Sequence, residues 1–334
     1  MDAPTAVVLL SLLAAGGAVA GEYRAPRNAF GAPELDGVWT DLSLTELQRP
    51  EDLKALVPTP AEAAAFERLQ NDPDALEAKA AAERKKAGKP PLPDVGQDQS
   101  EYPDPDQKLA RVRGEPRSSF LVQPSDGKLP YTPAARAWIR ARTQAGNRNF
   151  DDPETRPLNE RCLANLASGP PILNPGFNAH LQIVQTRDDI AILAEMTHDV
   201  RIIHMARATP PAAAVPAWMG RSTGHWVGES LIVETTGFNP REFPRGGVVL
   251  SDQAQVEERF TRTGPKTILY EFTVADPANY TQPWKGEMEL TAAPANSLLE
   301  YACHEGNYAL QGILAGARKA EAEGRVPEPL DGGD

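Results

Sequence analysis

The C-terminal half of the chain alternates apolar and polar residues with a period of two. Ile268, Tyr270, Phe272 and Val274 share one face of a run, and Val256, Glu258 and Phe260 share a face of the run before it. Further on, Met288 and Leu290 point one way while Glu287 and Glu289 point the other. Successive side chains of a strand face opposite sides, so this pattern predicts antiparallel strands with one dry face and one wetter face. Strands are expected at 181–186, 190–196, 200–205, 225–235 with a break near Gly228, 254–262, 267–274, 284–291 and 298–303. Arg187-Asp188-Asp189 and Thr263-Gly264-Pro265-Lys266 have the length and composition of hairpin connections.

A sheet of about eight consecutive antiparallel strands removes its exposed edges by closing or by curling strongly. The expected fold is therefore mainly β: an up-and-down antiparallel β-barrel or strongly curled sheet, lipocalin-like in kind, with a β-sandwich as the alternative. The β-domain spans 156–312 and a tail spans 313–334. Ahead of it, residues 21–155 predict an irregular, partly helical region. A short strand follows a turn at Asp36-Gly37-Val38-Trp39-Thr40. Thr59-Pro60 and Thr132-Pro133 each place an N-cap before a proline at the first helical position, predicting helices at 61–69 and 134–144. Trp138 and Ile139 are the second helix's expected core contacts. Residues 74–86 predict a further helix, and 90–106 a loop rich in Pro and Asp.

The apolar run at 6–15 followed by Ala18-Val19-Ala20 reads as a signal peptide over 1–20, although its start carries Asp2 and no Lys or Arg. The run is too short to span a bilayer. Export to the periplasm or beyond changes the reading of the two cysteines. In an oxidising compartment Cys162 and Cys303 form one bridge, two separate buried thiols being the alternative. Closing so long a loop is worth up to about 5 kcal/mol. The net charge of −12 argues against nucleic acid and against a polybasic membrane contact. No CxxC, HExxH, GxSxG or glycine-rich phosphate loop is present, so neither a metal nor a cofactor is expected.

Candidate chemistry gathers around Tyr301-Ala302-Cys303-His304-Glu305-Gly306-Asn307-Tyr308, where a carboxylate and an imidazole adjoin the bridge. His304 and Glu305 are an acid/base pair, Glu305 alternatively forming a salt bridge to Arg318 or Arg161. His198 is a base or ligand oriented by Asp199 or Glu195, with Asp199 equally readable as a turn former. Arg201 would hold an anion. Trp226, Tyr280, Trp284, Tyr301 and Tyr308 either line a barrel mouth that takes an organic ligand or pack in the core.

Several longer motifs run through the mature chain: Leu35-Asp36-Gly37-Val38-Trp39-Thr40, Arg156-Pro157-Leu158-Asn159-Glu160-Arg161-Cys162, Glu195-Met196-Thr197-His198-Asp199-Val200-Arg201, Gly224-His225-Trp226-Val227-Gly228-Glu229-Ser230-Leu231 and the span 301–308. In these the chain resembles a family of exported bacterial proteins with no assigned activity. The resemblance implies export and supplies no catalytic residue. It also shows a departure, since Arg usually stands in that family where this chain has His225. Two functions remain open. One is an exported enzyme, a lyase, isomerase or hydrolase, using acid/base residues on a small organic or glycosidic substrate. The other is a non-catalytic binding protein that carries an apolar or aromatic small molecule in its barrel. In both the partner is a small molecule, with no nucleic acid and no stable membrane insertion.

Overall fold

The computed structural model describes residues 23–88, 107–146, 150, 152–205, 215–240 and 245–325. The expected signal peptide and the 90–106 loop lie outside them. In chain order the elements are strand β1 (Gly37–Thr40), helices α1 (Pro60–Gln70) and α2 (Pro73–Lys86), and short strands β2 (Arg111–Val112), β3 (Glu115–Pro116) and β4 (Leu121–Gln123). Helix α3 (Pro133–Gly146) precedes strands β5 (His180–Gln185), β6 (Asp189–Ala194) and β7 (Val200–Met205). Then come β8 (Arg221–Val227), β9 (Ser230–Thr236), β10 (Gln255–Gly264), β11 (Thr267–Ala275), β12 (Trp284–Ala293) and helix α4 (Tyr308–Ala322).

Strands β1 and β5 to β12 close into a nine-stranded barrel, with β4 added along the free part of β12. The two strands share one edge of β12: β4 pairs at Lys285 and Gly286, and β1 pairs at Thr291 to Ala293. A ring whose neighbours all alternate in direction closes only with an even number of strands. Nine strands therefore need a parallel contact, and it lies between β7 and β8, where Ile203 pairs with Ser222 and Met205 with Gly224. The expectation of a closed barrel holds, and the wholly antiparallel pattern is corrected at this one seam. The expected strand at 298–303 is also corrected. That segment is irregular, because the edge of β12 that it would have joined is taken by Val38, Trp39 and Thr40 of β1. The segment instead runs as a strap across the barrel's outside.

The period-2 faces behave as expected. Val256, Phe260, Ile268, Tyr270, Phe272, Val274, Met288 and Leu290 all lie in one buried cluster with Trp39 and Trp284. Burying each such side chain is worth roughly 1.5–3 kcal/mol. Gly286 sits opposite Phe272 in the β11–β12 ladder, and a Cβ there would collide with the Phe272 ring. That ring meets Trp284 edge-on at 5.8 Å. The segment before β5 adds to this core: Ala167, Ile172 and Leu173 belong to the same cluster, and the Ile172 amide donates to the Tyr270 hydroxyl at 2.9 Å. The core is thus built from side chains of the strands and of the segments packed against them.

The helices form where the caps predict. Thr59 and Glu62 make a reciprocal capping box at the start of α1. At α3 the Ala135 amide donates to the Thr132 hydroxyl. There Ala135 is buried and Trp138 is 39% exposed. The inward line of α3 runs through Ala135 and the half-buried Ile139 at i and i+4, so Trp138 is not the core contact its size predicts. Leu53, Ala63, Phe66 and Leu109 form a second, smaller core beneath α1.

Candidate functional site

The Cys162–Cys303 disulfide joins positions 141 residues apart and fastens the strap to the segment before the barrel. Asn307, just ahead of α4, adds donations to the Glu160 carbonyl at 3.2 Å and to the Cys162 sulfur at 3.5 Å. Between the strap and the end of β6 lies an open cleft of about 470 Å³. Its barrel side is formed by Leu193, Glu195 and His198, and its strap side by residues 298–305. His198, Tyr301, Cys303, His304 and Glu305, drawn from segments about a hundred residues apart, therefore meet at one concavity.

His198 is presented by a tight turn. Residues Met196–His198 form a single 3₁₀ turn after β6. Thr197 and His198 both take left-handed backbone, with φ of 63° and 46°. A β-branched residue pays for that conformation, and such positions cluster at functional sites. Buried polar groups hold the turn. The Asn165 amide donates to the Met196 carbonyl at 2.5 Å and to the Thr197 hydroxyl at 2.7 Å. The Ser168 and Thr197 hydroxyls donate to Asp199 Oδ2 at 2.7 and 2.9 Å. Asp199 thus serves the turn. The His198 ring is held instead by the Tyr301 carbonyl, 3.0 Å from Nδ1. A carbonyl only accepts, so in the neutral ring Nδ1 carries the proton and Nε2 is left as the basic nitrogen.

Glu195 belongs to a different imidazole from the one its position suggests. Its carboxylate is almost fully buried and takes His180 Nδ1 at 2.7 Å on one oxygen. Asn178 donates to the other oxygen at 2.8 Å. The sequence does not mark this His180–Glu195 pair: with 187–189 as the connection, Leu181 would face Glu195. In the structure Leu181 faces Ala194 and Gln185 faces Ile190, so the register carried one step outward sets His180 opposite Glu195. His180 meets this carboxylate through Nδ1, as His198 meets the Tyr301 carbonyl.

The remaining candidates separate. Arg201 points into the barrel and makes a bidentate pair with Glu258, at 2.9 and 3.0 Å, with both side chains buried. Tyr270 donates to the same carboxylate at 2.8 Å, and burial, with Glu258 beside it, raises its phenol well above the ordinary range. Arg201 is therefore engaged in the core, away from the cleft. Trp284 is fully buried and Tyr280 nearly so. The Tyr280 hydroxyl bonds the Val249 backbone, and burial raises its phenol too. Trp226 is half-buried against the core. Tyr308 is 77% exposed at the start of α4. Of the five aromatics only Tyr301 lines the cleft.

On the far side of the disulfide, a smaller cleft of about 310 Å³ runs under the first turns of α4 and shares Cys303 and Glu305 with the first. Among the described residues no three His, Cys, Asp or Glu side chains group as metal ligands. No helix among them is long and apolar enough to cross a membrane. Compared with known proteins, the chain matches no family model, no curated protein and no solved structure.

Proposed function

We propose that the cleft between β6 and the strap is the proton-transfer site of an exported enzyme acting on a small organic substrate, by lyase, isomerase or hydrolase chemistry. The observation that carries this reading is the convergence of His198, His304 and Glu305 on one concave surface. In it, His198 accepts a proton at Nε2, and the Tyr301 carbonyl at Nδ1 supports the imidazolium that forms. Glu305 or His304 returns a proton from the opposite wall. General acid/base groups of this kind contribute about 10²–10⁴-fold to rate. The packed barrel interior favours this outer cleft over a carrier site within the barrel. Export is supported by the disulfide, a bond that persists in oxidising compartments, and by the apolar run at 6–15.

The test is a turnover screen of the mature protein on 4-nitrophenyl esters, 4-nitrophenyl glycosides and small hydroxy ketones, run beside His198→Gln and Glu305→Gln. Turnover of any panel that falls at least a hundredfold in His198→Gln supports the reading. Turnover untouched by both substitutions, or compounds that bind in the cleft and are never converted, overturns it.

A further inference from the structure

The charge of the cleft walls bears on what the cleft takes. The inference rests on the reading of the cleft as the functional site. Its lining holds three carboxylates, Glu195, Glu300 and Glu305, and two imidazoles, with no Lys or Arg. Glu195 is already engaged by His180 and Asn178, which leaves the exposed Glu300 and Glu305 as the carboxylates open to a ligand. Arg201, the cation that the sequence placed nearest, is paired with Glu258 inside the barrel. The chain as a whole carries −12, and a net field of that sign concentrates cations and repels anions. The rest of the lining includes Leu193, Leu298 and Leu299, the last 64% exposed.

We infer that the ligand is an amphiphilic organic cation, a primary or secondary amine on a small apolar body. The body lies on the three leucines, the ammonium group faces Glu300 and Glu305, and carboxylates and phosphates are rejected. An anion would meet Glu300 and Glu305 with no fixed positive charge in the lining, a repulsion that selects against it. The cation meets the same groups as partners.

The experiment uses three molecules with one body and three head groups: 2-phenylethylamine, 2-phenylethanol and phenylacetate. Each is titrated at pH 7.5 into the full mature protein while the imidazole resonances of His198 and His304 are followed by NMR. The amine is expected to bind at least threefold more tightly than the alcohol, with phenylacetate weakest. In the double variant Glu300→Gln with Glu305→Gln the amine's advantage over the alcohol should disappear. Phenylacetate or the alcohol binding as tightly as the amine overturns the inference, as does an amine preference that survives the double variant. If none of the three moves either imidazole, the cleft itself is not the site and the proposed function fails with it. Binding in the wrong charge order fails this inference alone.

Discussion

Asp41 follows directly on β1 and is buried, and its Oδ2 has no hydrogen-bond partner. Loss of water pushes its carboxyl up from the ordinary 3.8 to about 7, opposed only by its own backbone N–H. The sign of the consequence is unusual for an aspartate. The folded chain holds this proton more tightly than the unfolded chain, so the stability it contributes is fully present below about pH 4. That stability is lost steadily as the pH rises towards 7, and the loss levels off above that. At roughly 1.4 kcal/mol for each pH unit, the full span is about 4 kcal/mol. Asn has the shape of the protonated side chain and cannot ionise. Asp41→Asn should therefore match the natural chain near pH 4 and exceed it by about 4 kcal/mol at pH 8. At about 2–4 °C per kcal/mol for a chain of this size, the gap in Tm is on the order of 10 °C. Calorimetric melts of both proteins at pH 4, 6 and 8 measure it. A Tm difference that stays constant across the three pH values would falsify the reasoning, because the Asp41 proton would then not be linked to folding.

Two further outcomes test the core and the strap. Arg201→Met strands Glu258 as an unpaired buried charge and should cost about 3–5 kcal/mol in urea unfolding, while the double change with Glu258→Leu should recover most of it; a single variant within 1 kcal/mol of the natural chain, by the rule that surface pairs contribute about that or less, would show the pair to be dispensable. Cys303→Ser removes the tie that holds the strap and should cost up to about 5 kcal/mol, with fast amide exchange appearing at 298–307 while β10 to β12 stay protected; protection unchanged along the strap would mean that His198 and Asn307 hold it unaided.

The β character of the second half was legible because alternation is a local property. Each of Ile268, Tyr270, Phe272 and Val274 declares its face through its neighbours two positions away. The hairpin at Gly228 was legible for the same reason, since it needs only a turn between two alternating runs. The disulfide was the simplest expectation from two cysteines in an exported chain, and the caps of α1 and α3 followed from a Thr-Pro pair at each start. The site was half legible. Polar residues beside Cys303 marked the strap, and His198 stood out in its turn. The partners did not show: Glu195 was open to His198 from the sequence and belongs to His180, and Arg201 looked like an anion holder and is spent on Glu258, fifty-seven positions away.

What the sequence by itself determined is whatever depends on separations of a few residues: strand and helix periods, turn positions, caps, charge balance and the single cysteine pair. Only the tertiary structure decided which strand closes the barrel. The segment 298–303 alternates well enough to be a strand, yet β1, from near the start of the chain, pairs with both β5 and β12 and takes that place. Strand pairing is a competition among all edges at once, and closing a ring of nine also imposed the parallel seam at β7 and β8. With the edge taken and Cys303 tied to Cys162, the segment lies beside the end of β6, and the cleft lies between the two.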